Sequence, residues 1–150
     1  MLKIIRTNSS NPDFKELIKY LDAYLAEKDG KDHAFYAQYN KVDTIKHVVV
    51  AYQNNQAIAC GAIKEYLSDT MEVKRMYTLP ESRGQGIATL VLTELELWAA
   101  ELGYKKCVLE TGKKQTEAVK LYKKFGYKII PNYGQYAGVE NSFCFEKGVK

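Results

Sequence analysis

The stretch TMEVKRMYTLPESRGQGIATLVL, residues 70–92, decides how this chain is read. Thr70 to Thr78 reads as a strand, and Leu79-Pro80-Glu81-Ser82 ends it, because proline brings no backbone N–H to a ladder. Gly84 and Gly86 follow in a short loop. From there Ile87, Leu90, Val91, Leu95, Trp98 and Leu102 recur at helical spacing, with Glu94 and Glu101 outside the stripe and Gly103 as the stop. Glycine lets a backbone come close to a ligand. The first N–H groups of a helix have no partner within it, and the helix dipole adds partial positive charge there. A strand running through glycines into a helix is therefore a site for phosphate, worth about 0.3–2 kcal/mol per favourable charge. The segment lacks the Gly-Lys-Ser/Thr of a P-loop, and Ile87-Ala88-Thr89 lacks the third glycine of the dinucleotide fingerprint.

On the N-terminal side, Lys3 to Arg6 reads as a first strand. Asn11-Pro12-Asp13 starts a helix, since Asn11 can cap, Pro12 fits the first turn and Asp13 suits the positive end. Phe14, Leu17, Ile18, Leu21, Tyr24 and Leu25 continue it at helical spacing, and Gly30 stops it. Lys31 to Thr44 is polar and aromatic without clear period and reads as irregular. His47 to Tyr52 and Ala57 to Tyr66 read as strands joined at Asn54-Asn55, and Ser68-Asp69 turns the chain into Thr70. On the C-terminal side come a strand from Lys106 to Glu110, a short helix from Gln115 to Phe125 stopped by Gly126, and strands at Tyr127 to Ile130 and Ser142 to Glu146. Hairpins followed by strand–helix–strand–helix–strand imply an α/β fold of the α+β type, a mixed sheet with helices on both sides.

Composition narrows the function. A chain of 150 residues fits one domain, residues 1–150, and 46% apolar with 27% charged residues is ordinary for a globular protein, which argues against disorder. No apolar run approaches the roughly 18 residues of a membrane span, and the polar N-terminus does not read as a signal peptide, so a cytoplasmic protein without membrane contact is expected. The three cysteines, Cys60, Cys107 and Cys144, lack metal-ligand spacing and are expected as reduced, buried thiols; no metal is expected. His33 and His47 are the two histidines, so Cys-His, Ser-His-Asp and metallohydrolase chemistry is poorly supplied. A formal charge of +4 is too small for a nucleic-acid footprint and suits a modestly anionic ligand.

Two motifs in order sharpen this. SRGQGIA resembles the Arg/Gln-x-x-Gly-x-Gly/Ala signature of the GNAT acetyltransferase superfamily, carried by Arg83, Gly86 and Ala88. Further on, QTEAVKLYKKFGY, residues 115–127, is similar to the family's second signature, carried by Gln115, Ala118, Leu121, Tyr122, Gly126 and Tyr127. Gln115 stands where Asn is commoner and Tyr127 where Phe is. LETG, residues 109–112, resembles one branch of small bacterial members. The resemblance implies the GNAT fold, with a mostly antiparallel sheet of about six to seven strands splayed in the middle. It also implies acetyl-CoA as co-substrate, bound where the fourth and fifth strands part. Backbone groups of Met76, Tyr77 and Thr78 would then pair with the pantetheine arm as an added strand. The resemblance likewise implies that backbone groups of Arg83, Gly84, Gln85, Gly86, Ile87 and Ala88 hold the pyrophosphate, with the Arg83 side chain either adding charge or lying solvated at the surface.

The family likeness also implies roles. Tyr122 is the family-like general acid for the departing thiolate; its alternative is a core tyrosine, since it shares a helical face with Ala118, Leu121 and Phe125. Glu72 stands where some relatives carry a catalytic base; its alternative is a strand carboxylate paired with Lys74 or Arg75. Period two would set Glu72, Lys74, Met76 and Thr78 on one face. Glu110 is the other candidate base or a substrate contact. A backbone N–H near Tyr77 would stabilise the oxyanion. Gln115 either touches the cofactor or caps its helix.

The acceptor is less legible. Tyr133 and Tyr136, in the stretch with Asn132, Glu140 and Asn141, would shape its pocket or merely pack a loop. His33, Phe35, Tyr36 and Tyr39 would form the opposite wall. Glu65, Asp69, Glu72 and Glu110 would suit a cationic amine. The expectation is direct acetyl transfer to the amine of a small molecule, without a covalent intermediate on Cys107 or Cys144. O-acetyl transfer is a variant of the same reading. A non-catalytic acyl-CoA-binding module and a protein-interaction domain are the rivals. A homodimer is suggested by analogy with the family alone.

Overall fold

The computed structural model describes residues 1–30 and 44–149. The expected irregular segment and its His33, Phe35, Tyr36 and Tyr39 lie outside the described residues, apart from Thr44. The chain runs β1 (Leu2–Thr7), α1 (Pro12–Asp29), β2 (His47–Gln53), β3 (Gln56–Leu67), β4 (Thr70–Thr78), α2 (Ile87–Glu101), β5 (Lys106–Gly112), α3 (Thr116–Lys124), β6 (Lys128–Ile130) and β7 (Ser142–Gly148). The strands form one seven-stranded sheet in the order β1-β2-β3-β4-β5-β7-β6. Every neighbouring pair is antiparallel except β4 and β5.

Local chemistry accounts for the element ends. Asn11 caps α1, its Oδ1 accepting the Phe14 N–H at 3.0 Å, and Gly30 ends it with φ +55°. Asn54 and Asn55 both take positive φ, 53° and 70°, the pairing that lets a two-residue hairpin follow the strand twist. Two Asn there, rather than bulkier residues, keep that conformation cheap.

The sheet is covered on both sides. Arg6 on β1 reaches Glu94 and Glu101 of α2, whereas Tyr52, opposite Lys3, donates to Asp13 of α1 at 2.6 Å. Lys3 and Arg6 are three apart on one strand, so they point to opposite faces, and α1 and α2 lie on opposite faces of the sheet. That explains the unbroken buried run Val48–Val49–Val50–Ala51, which a half-exposed strand would have interrupted with polar residues. From α1, Phe14, Leu17, Ile18 and Leu21 enter the core, each such side chain contributing about 1.5–3 kcal/mol when fully buried.

The stripe of α2 differs from the expected one. The buried residues are Ile87, Val91, Leu92, Leu95 and Ala99, while Leu90 and Leu102 are each 44% exposed. Trp98 lies at the margin, edge-on to His47 and beneath the Arg6 guanidinium. The helix is apolar on more than one side, so its composition leaves the core-facing side open and packing against Gly61 selects it. Glu94, expected outside the stripe, is held by Arg6 at 2.7 Å.

Candidate active site where β4 and β5 part

β4 and β5 pair at Thr70–Lys106, Met71–Cys107 and Glu72–Val108 and not beyond. β4 continues to Thr78 and β5 to Gly112, so beyond Glu72 the facing edges of both strands have no partner in the sheet. On its other side β4 stays paired with β3, with a bulge. Cys60 opposes Tyr77 and Ala62 opposes Lys74, which leaves Arg75 and Met76 facing the single Gly61.

The bulge overturns the period-two expectation for β4. Arg75 takes φ +58°, which costs a non-glycine residue about 1–2 kcal/mol. Met76 is thereby turned to the α2 side: a Cβ on Gly61 would lie 2.5 Å from its Sδ and about as close to Leu95 and Val91. Glu72 and Lys74 thus do not continue onto one face with Met76. A glycine inside a strand is the sequence sign of such a bulge or close approach, and Gly61 carries it here.

At the far end of β4 the loop reaches α2 through Gly84 and Gly86, both at φ +78°. A Cβ at either would meet nothing within 4 Å, so neither glycine is there to relieve crowding within the chain. Gly86 is the N-cap of α2 with no side chain capping it, leaving the first N–H groups of that helix open to a ligand. The Arg83 side chain is exposed, as its surface alternative expects, and is also tied to the chain. Its Nε donates to the Thr78 carbonyl at 2.8 Å, and its guanidinium lies 5.5 Å from the ring centres of Tyr24 and Tyr77. Gln115 is at the N-cap position of α3 but makes no side-chain cap bond. It lines a cavity of about 80 Å³ with Leu21, Val73, Arg75, Met76 and Tyr122.

Tyr122 is buried on α3, with its ring against Tyr127 and Phe145. Burial first, and then the Glu110 carboxylate, push its phenol well above the ordinary range. It is therefore a hydrogen-bond donor at all working pH values.

The two candidate carboxylates have partners. Glu72 accepts a hydrogen bond from the Tyr133 hydroxyl at 2.8 Å and faces Lys74 Nζ at 3.8 Å, so the ion pair expected as its alternative is present. Glu110 accepts from Ser142 Oγ at 2.7 Å. Burial, then Glu72, raises the Tyr133 phenol far above its usual value; Tyr136 is raised by burial, then Glu110 and Glu72. Tyr136 is buried and Tyr133 half-buried, packed against one another and beside Cys144, which draws them and both carboxylates into one region. Glu65 and Asp69 stand apart from it: Glu65 accepts from Tyr104, and Asp69 from Thr70 at 2.8 Å. The expected group of four acidic residues is thus two.

Cys60, Cys107 and Cys144 are free, buried thiols. Among the described residues no cluster of His, Cys, Asp or Glu could hold a metal, and no helix is long and apolar enough to cross a membrane.

The acetyltransferase (GNAT) family model matches residues 14–127. The chain belongs to the GNAT acetyltransferase family. It is 31% identical to the IAA acetyltransferase of Azospirillum brasilense over 88% of each chain. It is 34% identical to an uncharacterized N-acetyltransferase of Schizosaccharomyces pombe, over 57% of this chain and only 53% of that protein. Its fold matches that of a Klebsiella pneumoniae protein assigned to the acyl-CoA N-acyltransferases, with a TM-score of 0.83, 27% identity and coverage of 100% and 99% of the two chains. Acetyl-CoA is the co-substrate of this GNAT family, and structures of the same fold from Elizabethkingia anophelis and Thermoplasma acidophilum hold acetyl-CoA and coenzyme A. The seven-stranded, centrally splayed sheet of this chain is the GNAT fold.

Two residues beside the splay escape the sequence reading. Arg75 was considered only as a partner for Glu72, and Asp22 was not considered. They are joined to one another, Nη2 to Oδ1 at 2.6 Å.

Proposed function

We propose that this chain, residues 1–150 as one domain, transfers the acetyl group of acetyl-CoA directly to the amine of a small-molecule acceptor, with both substrates held together. What carries the reading is the open edge of β4 beyond Glu72, which leads into an uncapped helix N-terminus and passes Tyr122 on the way. An extended arm with amide groups can pair with Met76, Tyr77 and Thr78 there as an added strand. The glycine loop from Arg83 to Ala88 then takes the pyrophosphate, with open space at Gly84 and Gly86. Arg83 contributes by fixing the Thr78 carbonyl and by adding positive charge near the loop.

Acetyl-CoA supplies an activated thioester, so the chain's own residues must manage protons and charge. An amine of pKa about 10 is about three units from its free base at neutral pH, a cost of about 4 kcal/mol. Glu72 takes the proton, directly or through water. Tyr133 holds one of its oxygens at 2.8 Å and leaves the other toward Lys74. A backbone N–H near Tyr77 stabilises the oxyanion. Tyr122 donates a hydrogen bond to the departing thiolate. With a thiol pKa of about 8.5, full transfer from a phenol already raised by burial is uphill, so Tyr122 acts as a donor to the thiolate rather than as a strong acid. Glu110, Tyr133 and Tyr136 line the acceptor side. Gln115 contacts the acyl end of the cofactor from the mouth of α3.

Direct transfer agrees with the thiols. Burial pushes Cys107 up to about 12 and Cys144 to about 11, which leaves little thiolate to carry an acyl group at neutral pH. The test is free-thiol release from acetyl-CoA with a panel of amines. Release that depends on one amine class supports the reading. Coenzyme A binding without release from any amine would turn it toward an acyl-CoA-binding module, and absence of both would overturn it.

A further inference from the structure

Arg75 is built at a cost and left unfinished. Its φ is +58°, its side chain is 1% exposed, and its one ion pair among the described residues runs from Nη2 to Asp22 on α1, whose own side chain is 54% exposed. Nε and Nη1 are buried without a hydrogen-bond partner, the one such residue among the described residues. A guanidinium keeps its charge at any working pH, and buried donors without acceptors are unfavourable. The same Arg75 lines the small cavity shared by Leu21 and Leu25 of α1, by Met76, and by Gln115 and Tyr122 of α3. The residue that carries the vacant donors and the proposed thiolate donor therefore line one space, with Lys74 as a second cation at its wall.

We propose that Arg75 receives a carboxylate of the acceptor, so that the amine to be acetylated belongs to a molecule that also carries a carboxylate. This rests on the acetyl-transfer reading above. On that reading the acyl end of the cofactor reaching this depth is a neutral thioester and amide chain, with its phosphates at the Gly84–Gly86 loop. An anion at Arg75 must then come from the acceptor. Nη1 lies beside the Asp22-bound Nη2 and offers a carboxylate oxygen a charge-assisted hydrogen bond at the end of the guanidinium, whereas Nε–H shares no edge with Nη1. A phosphate would bring more charge beside Asp22 into a cavity of about 80 Å³. Asp22, half-exposed at the end of the guanidinium, holds the group in place and lowers its net pull on an anion. The site thereby requires an acceptor placed to reach Nη1.

The test compares matched acceptors that differ in the carboxylate alone: glycine, phenylalanine and lysine against glycinamide, phenylalaninamide and lysinamide, with acetyl-CoA and the full chain. The wild type is expected to favour the acid of the better pair by about 10–100-fold in kcat/KM, the range of hydrogen bonds to a charged group. Arg75→Gln should erase that preference through KM for the acid while KM for acetyl-CoA stays unchanged. Asp22→Asn removes the competing carboxylate without touching the bulge, and should strengthen the preference. In parallel, N-acetylphenylalanine and N-acetylphenylalaninamide are titrated calorimetrically into the coenzyme A-loaded protein. Binding of the acid alone, lost in Arg75→Gln, supports the proposal even if turnover is slow. Equal use or binding of acid and amide by the wild type overturns it. So does an Arg75→Gln defect that falls equally on both, or on acetyl-CoA, because Arg75 would then serve the bulge or the cofactor. Thiol release from no amine at all, together with binding of the N-acetyl acid, would sink the transfer reading and leave the carboxylate site standing.

Discussion

From Thr70 to Glu72, β4 is paired on both sides; from Arg75 to Thr78 it is paired with β3 alone. The two halves are close in composition, and both mix apolar with charged residues. The first half holds Met71 and Val73 in the core and keeps its carboxylate and ammonium groups paired. The second half carries a bulge, a residue at positive φ, buried donors without acceptors and a free backbone edge. Strain and unmet hydrogen bonds gather where a ligand can meet them, and the fully paired half supplies the rigidity that holds them there. Substitutions at the open edge, at Glu72 where it begins and in the loop beyond it should therefore alter binding and turnover, and those at packed core positions should alter stability.

The largest separation is expected from Gly86→Asp. Nothing lies within 4 Å of a Cβ there, and Asp tolerates positive φ better than most residues, so the thermal midpoint should move little. Its carboxylate would stand at the N-terminus of α2, where the phosphate is proposed to bind. Losing charge-assisted hydrogen bonds and adding a like charge should cost about 3–5 kcal/mol of coenzyme A binding, a few hundredfold or more. Calorimetry with coenzyme A checks this, and unchanged affinity would remove the loop from the binding site.

Next comes Glu72→Gln, which keeps the shape and the Tyr133 contact but loses the base. General-base contributions are typically at least about a hundredfold. The loss should appear in kcat/KM for the amine, with a flattened acidic limb in the pH–rate profile and unaltered coenzyme A binding. An unchanged limb would assign the proton to another group, with Glu110 next in place. Tyr122→Phe should follow at about 10–100-fold in kcat, the size of one hydrogen bond to a charged sulfur. Full activity in Tyr122→Phe would reduce Tyr122 to a core residue against Phe145 and Tyr127.

How much of this could be read from residues 70–92 and 115–127 divides along the same line. Regular elements and turns follow from local rules: Asn11 caps, Asn54-Asn55 turns, and glycines punctuate. The splay itself was legible only through the family resemblance, because no local rule makes two strands part after Val108. The bulge was hidden for a different reason. Its cause is Gly61 on the neighbouring strand, so period two applied to β4 alone put Met76 on the wrong face. Arg75 was hidden with it, since a basic residue in a strand ordinarily reads as solvated. The partners of Glu72 and Glu110, namely Tyr133 and Ser142, come from residues 61 and 32 positions away. Such contacts depend on strand order, which composition and periodicity do not encode.

Gly61→Ala tests how the open half packs on its α2 side, across the bulge from Arg75 and Met76. Its new methyl would meet Met76 Sδ at 2.5 Å, Leu95 Cδ1 at 2.9 Å and Val91 Cγ1 at 3.0 Å. Overpacking of this kind typically costs about 1–3 kcal/mol, which for a chain of this length lowers the thermal midpoint by about 2–4 °C per kcal/mol. Met76 can swing its sulfur and α2 cannot easily move, so the lower part of that range is expected. A second variant, Met76→Ala in the Gly61→Ala background, should recover part of the loss, and no recovery would locate the crowding in α2 instead.

The smallest effect should come from alkali, acting on one thiol beneath each half of β4. Cys107 opposes Met71 in the closed half, and Cys60 opposes Tyr77 in the open half, its thiol near the Arg75 carbonyl at 3.4 Å. Burial raises both thiols from an ordinary value near 9 to about 12; Arg75 acts weakly the other way on Cys60. The folded state therefore holds protons that the unfolded chain releases from about pH 9 upward. Stability contributed by these thiols is fully present below pH 9 and is lost as pH rises toward 12, by about 1 kcal/mol per thiol at pH 10. Urea titrations at pH 7.5 and pH 10 on the wild type, Cys60→Ala and Cys107→Ala would isolate each contribution. If the open half breathes more than the closed one, Cys60 should also react first with a thiol reagent at pH 8, and coenzyme A should slow it while leaving Cys107 unaffected. Equal rates with and without coenzyme A would mean that both thiols react only through global unfolding, and that the bulge at Arg75 is as firmly held as the strand before it.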